Sequence, residues 1–171
     1  MDATTLRTRQ SPLKTRYRAD PASALISLRA AGSLDVEALQ CRVDTSGGVV
    51  AAGLHAATGG DGREACSGDM LLQALVACAG VTLLAVATAI GIPIRGGTVS
   101  AQGQWDARGT LAVDPQAPVG LTAIELSFEL DTDATAEQLK KLLELTERYC
   151  VVLQTLRHPP AIVSAVRREL P

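Results

Sequence analysis

Apolar and polar positions alternate along this chain in two distinct rhythms. From Asp69 to Ile90 the sequence reads DMLLQALVACAGVTLLAVATAI, with no charge after Asp69. A run of that length and character predicts a helix that is apolar on every side. Ser67 is the expected N-cap, Asp69 suits the positive end of the helix, and Gly91 followed by Pro93 ends the run. A second run, residues 135–157, is amphipathic: Leu139, Leu142, Leu143, Thr146, Tyr149, Cys150, Leu153 and Leu156 recur at helical spacing. Thr135 and Gln138 fit a capping box, and Pro159 and Pro160 stop the helix. Both Cys78 and Cys150 lie inside these helices, and Cys150 is expected to point inward.

The remaining segments read as strands. Residues 36–45 and 49–56 flank Ser46-Gly47-Gly48, a composition suited to a tight hairpin. Residues 98–105 and 121–130 alternate with period two, most clearly at Ile124, Leu126, Phe128 and Leu130. Between them, residues 106–120 hold two glycines and two prolines and form a long connection. Residues 161–166 read as a closing strand, and residues 22–33 fit a strand or a helix, with strand preferred. Residues 1–20 form an N-terminal arm or short helix, and residues 21–171 a single domain. The order is β-β(-β)-α-β-β-α-β, an α+β architecture with antiparallel pairing and both helices on one face.

Composition narrows the function. With 16 basic and 18 acidic side chains and no basic block, the chain is a poor match for nucleic acid. Phe128, Trp105, Tyr17 and Tyr149 are its only aromatic residues besides histidine, too few for base stacking. The polar first residues lack a secretory core, so a cytoplasmic location is expected, where thiols stay reduced. The helix at 69–90 would extend ~33 Å, enough to cross a bilayer. Its alanine content, the polar Gln73, Thr82 and Thr88, and the absence of flanking basic clusters favour a buried helix over a membrane span. A domain of this size rarely wraps such a helix alone, so a homodimer is expected.

Four cysteines and two histidines show neither C-x-x-C nor H-x-x-x-H spacing, so no metal is expected. The GGDG at 59–62 lacks the Lys-Ser/Thr of a phosphate loop, and no cofactor is expected either. Two chemistries remain open for Cys78 and Cys150. One thiol can attack as thiolate while the other resolves its oxidised product, or both can simply fill space in the core. Activation of Cys78 at mid-helix requires a nearby cation, because the helix field fades within the first turn. Leu75, Val81 and Thr82, with residues of a partner chain, are expected to line a pocket for an apolar ligand. Cys66 stands ~18 Å along the helix from Cys78, too far for a disulfide, and reads as a loop thiol. Cys41 reads as a core cysteine on a strand, His55 as structural, and Trp105 as cover for a sheet edge.

Over roughly residues 35–168, the run S-G-D-M-L-L-Q-A-L-V-A-C-A-G-V-T-L, the second helix with Cys150 and the closing strand resemble the OsmC/Ohr family of thiol-dependent peroxidases. The resemblance implies an antiparallel sheet wrapped around two long central helices in an intertwined homodimer. It implies that Cys78 attacks a hydroperoxide, that Cys150 resolves the sulfenic acid, and that a dithiol restores both. Family members carry a glutamate that holds an arginine against the thiolate. Asp69 is nearest to that slot here, Arg42 is the nearest candidate arginine, and Arg63 is a second. Val151 stands where the family often has proline after the second cysteine. The alternative is a non-catalytic dimer of the same fold that binds a small apolar ligand.

Overall fold

The longest apolar run becomes the longest element, and the second helix, the N-terminal helix and a two-stranded ribbon lie against part of its circumference. In the computed structural model, which describes residues 1–168, the helices are α1 (Ala3–Ala19), α2 (Ser67–Ile90), α3 (Ala107–Thr110), α4 (Ala136–Tyr149) and α5 (Val151–Arg157). The strands are β1 (Gly32–Asp35), β2 (Gln40–Thr45), β3 (Gly48–Gly53), β4 (Ala65–Cys66), β5 (Gly96–Trp105) and β6 (Leu121–Asp131). β1 to β3 form an antiparallel meander that β4 joins in parallel; β5 and β6 form a separate antiparallel ribbon.

Helix α2 starts one residue earlier than expected. Ala65 and Cys66 pair with Ala52 and Gly53, so the chain is still extended at Cys66 (φ −80°, ψ 130°) and turns helical from Ser67. Cys66 is therefore the N-cap, and its side chain makes no capping bond. The other end follows expectation. Gly91 adopts φ 75°, a left-handed conformation that costs glycine little, and its N–H bonds to the Ala87 carbonyl.

The β5–β6 ribbon runs in register from Gly96 opposite Asp131 to Trp105 opposite Leu121, with one irregularity between Gln104 and Trp105. Period-two alternation turns Val99, Ala101, Leu126 and Phe128 toward α2 and α5. Leu83, Val86, Ala87, Ile92 and Leu142 form one buried cluster between α2 and α4. Leu75, Ala79 and Cys150 form a second, with Cys78 packed against it. Burial of each leucine contributes ~1.5–3 kcal/mol.

Several expectations are corrected. The second helix does not run unbroken over 135–157; it is interrupted at Cys150, which has φ −73° and ψ 108°. Two β-branched valines follow, and their weak helix propensity fits a break at this point. The buried stripe of α4 is also narrower than the pattern implied: Leu142 and Thr146 are buried, whereas Leu143 and Tyr149 are exposed. Residues 36–39 form a turn, with Leu39 at φ 53°, so β2 begins only at Gln40. Of residues 22–33 only the last two are strand, after a short 3-10 turn at Pro21–Ala24. Residues 161–166 pair with none of the described strands and are exposed, Val163 to 94%. A strand is stabilised by its ladder, and among the described residues none supplies one there.

Much apolar surface stays in contact with solvent. Only 22% of the most apolar window of α2 is buried, and Leu71, Val81 and Leu84 face outward. Leu34 on β1 and Val49 on β3 are exposed as well.

Candidate thiol pair

Cys78 and Cys150 come together where the break in the second helix meets the middle of α2. Cys78 is half-buried and Cys150 fully buried. Val99, Ala101, Leu126 and Phe128 of the ribbon pack against the cluster that holds Cys150 and that Cys78 adjoins.

The break supplies the polarity. Cys150 still donates its N–H to the Thr146 carbonyl at 2.9 Å, and its own carbonyl accepts from Gln154 N–H at 2.9 Å. The N–H groups of Val151, Val152 and Leu153, at the start of α5, lack a preceding helical turn and are free to turn elsewhere. Burial disfavours the thiolate of Cys78. The Val152 N–H, the Cys150 thiol, the Thr82 hydroxyl and the Val151 N–H outweigh it and hold the pKa below the ordinary thiol value. Burial pushes Cys150 the other way, raising its pKa; the Leu153 N–H opposes this, and the neighbouring Cys78 adds to the rise. The pair thus consists of one acidic and one reluctant thiol, of which the acidic one is the readier nucleophile.

The other nominated residues lie elsewhere in the chain. Asp69 is exposed in the first turn of α2, nine residues before Cys78, which places it ~13 Å up the helix axis. Arg42 is exposed on β2, between Ser33 and Ala51 in the sheet register. Arg63 is exposed and pairs with Asp61 at 3.3 Å. None of the three is among the groups that shift Cys78. The expected pocket wall also divides: Leu75 is buried, Thr82 sits beside the thiol, and Val81 points away, 71% exposed. A groove of about 360 Å³, as polar as it is apolar, opens nearby, with Leu75, Leu126, Leu153 and Leu156 in its lining together with Glu147 and Arg157; neither cysteine lines it.

Cys41 is half-buried on β2, its sulfur close against Gly32. His55 caps a short turn through Nδ1, which accepts from Ala57 N–H at 3.0 Å, and its ring meets Trp105 edge-on at 5.2 Å. The Trp105 indole N–H donates to Thr110 Oγ1 at 2.8 Å. Both therefore serve packing. The backbone N–H groups of Val151 and Val152 were not anticipated as partners of the thiol. The signal for them was the valine pair straight after the second cysteine, and Thr82 lay one turn beyond Cys78 on the same face.

Residues 60–164 match the family model described as OsmC-like protein. No curated protein matches the chain. Among solved structures, an OsmC-like protein from Mycoplasma pneumoniae superposes with a TM-score of 0.66 at 16% identity, over 78% of this chain and 89% of that one. An organic hydroperoxide resistance protein from Legionella pneumophila gives 0.63 at 15% identity, covering 78% and 91% of the two chains. The organic hydroperoxide resistance protein OhrB of Bacillus subtilis gives 0.54 at 15% identity, covering 78% and 93%. With the model matched across the cysteine helix, the ribbon and the broken second helix, the chain belongs to the OsmC family.

Proposed function

We propose that this protein is a thiol-dependent reductase of organic hydroperoxides, acting as a cytoplasmic homodimer with Cys78 as nucleophile and Cys150 as resolving thiol. The observation that carries the reading is the meeting of two thiols of opposed acidity at one helix break. The names of the Legionella and Bacillus neighbours agree with it.

The Cys78 thiolate attacks the distal oxygen of the hydroperoxide, the O–O bond breaks, and the alkoxide leaves as alcohol after taking a proton. Cys78 becomes a sulfenic acid. Cys150 then loses its proton and attacks the Cys78 sulfur, forming the disulfide and releasing water. An external dithiol reduces the disulfide by exchange and returns both thiols. Leu75, Leu126, Leu153 and Leu156, on one side of the half-polar groove near the pair, would receive the organic part of the substrate. In this reading the thiolate is stabilised within one chain by backbone N–H groups and the Thr82 hydroxyl. Arg42 and Asp69 would act only from a second copy. The same groove favours the other reading, a non-catalytic dimer that holds a small apolar ligand there.

Turnover separates the two. With cumene hydroperoxide and dithiothreitol, wild type should consume peroxide steadily and Cys78→Ser should not. Cys150→Ser should accumulate a Cys78 sulfenic acid that dimedone captures. Wild type no faster than Cys78→Ser would overturn the reductase reading and leave the binding one.

A further inference from the structure

We propose that Glu147, Gln154 and Arg157 are positioning residues for the Cys78 thiol, clasping the two halves of the broken helix so that the freed backbone N–H groups stay aimed at the sulfurs. The inference rests on the thiol chemistry above, but it concerns residues with no part in the reaction itself.

In an unbroken helix the N–H of Val151 would bond to the Glu147 carbonyl, that of Val152 to Arg148, and that of Leu153 to Tyr149. At the break the Glu147 carbonyl instead accepts the Gln154 side-chain amide at 2.8 Å. Gln154 thus takes the place that Val151 has vacated, and the orphaned carbonyl is satisfied without recalling the N–H. The side chain of Glu147 meanwhile grips Arg157 with both carboxylate oxygens, at 3.0 and 3.1 Å. One residue at the end of α4 is therefore tied twice to α5, once through its carbonyl and once through its carboxylate, across a single non-helical residue.

The consequence is directional. Cys150 is the only residue between the helices, so rotation about its φ and ψ would swing α5 as a unit and carry the N–H groups of Val151 and Val152 off the thiol. Glu147 and Arg157 are both partly exposed, and such a pair adds little to global stability. A contact of that kind can still fix a hinge angle, because a bidentate fork restricts direction as well as distance. The groups facing Cys78 are Thr82 on α2 and Cys150, Val151 and Val152 at the break. Val99 and Ala101 on β5 and Leu126 and Phe128 on β6 pack against the same buried cluster as Cys78. None of the groups that lower the Cys78 pKa is a charged side chain, so its acidity depends on where the break is held.

The test is the pH dependence of Cys78 carbamidomethylation in the full chain, followed by peptide mass spectrometry. Arg157→Met keeps the apolar stem but releases the carboxylate, and Gln154→Ala releases the carbonyl. Each should move the half-titration point of Cys78 upward, lowering its labelling rate below that point by ~3- to 10-fold, the equivalent of ~0.5–1 pKa unit. The exchange Glu147→Arg with Arg157→Glu should restore the wild-type curve. Arg95→Met, which breaks a clasp to Asp131 and Asp133 remote from the thiols, should leave it unmoved. Curves for Arg157→Met and Gln154→Ala that superpose on wild type would overturn the proposal. Labelling needs no peroxide: a protein inert toward hydroperoxide but with shifted curves keeps the clasp and loses only the reductase.

Discussion

Cys78 and Cys150 share one backbone donor, the N–H of Val152, and yet their acidities diverge. For Cys78 the shared N–H is the largest favourable contribution and prevails with help from Thr82 and Val151. For Cys150 burial prevails. Each thiol also acts on the other, since Cys150 donates toward Cys78 and an ionised Cys78 repels charge on Cys150. Iodoacetamide at neutral pH should therefore label Cys78 well before Cys150. Cys150→Ala, which removes a donor, should move the half-point of Cys78 upward. Equal labelling of both cysteines would contradict the asymmetry.

Stability should carry the same signature. The Cys78 pKa is lower in the fold than in the unfolded chain, where it is ~8.5. Its ionisation therefore contributes stability above that value and ceases to do so as pH falls through the folded value. Cys150 is raised, so its contribution is present below the ordinary thiol value and is lost as pH climbs through its folded value. Urea unfolding of reduced protein should show that Cys78→Ser loses more stability relative to wild type at pH ~9 than at pH ~7, and Cys150→Ser less. A pH-independent deficit for both would mean that the thiols titrate alike in folded and unfolded chains.

A proline scan across the break distinguishes adjacent positions. Val151 is the first residue of α5, and Cys150 before it already has the extended conformation that a following proline demands. Val151→Pro should fold normally, the gain from a stiffer unfolded chain being offset by the N–H lost to Cys78. It deletes the last-ranked donor to Cys78, so the half-point should rise only slightly. Val152→Pro removes the leading donor and forces Val151 out of its helical conformation. Stability should fall and the half-point rise further. Identical titration curves for the two variants would refute the assigned ranking of the donors.

Which parts of this were legible beforehand follows from the range of the interactions. The long helix, its glycine stop, the Thr135–Gln138 capping box, the hairpin and the ribbon depend on neighbours close in sequence, and patterns record those. The closing strand and the unbroken second helix failed for different reasons. Residues 161–166 have strand composition but no ladder in a single chain, and composition does not reveal who supplies one. At Cys150 the apolar period continues through Leu153 and Leu156, so the stripe conceals a break that only the valine pair hints at. A redox pair of Cys78 and Cys150 is one of two readings that the residues leave open, and resemblance assigns the attacking and resolving roles to the two thiols. Their donors are main-chain groups, which have no letter in the sequence.

The outward face of α2 supplies the last prediction. Leu71, Val81 and Leu84 are all exposed on a helix that carries no charge after Asp69, and the β1–β3 meander leaves Leu34 and Val49 uncovered. Exposed apolar side chains in this number are typical of an interface, and a stable one buries ~1,000 Å² or more. A second copy, with its own α2 and meander, offers matching surface in closed two-fold symmetry. Replacing Val81 and Leu84 together by aspartate leaves the buried side of α2, Leu75, Ala79, Leu83 and Val86, untouched. Wild type should sediment at twice the chain mass and the double variant at once that mass, with helical circular dichroism retained. Wild type sedimenting as a single chain at micromolar concentration would sink the dimer, and Arg42 could then reach no thiol but that of its own chain.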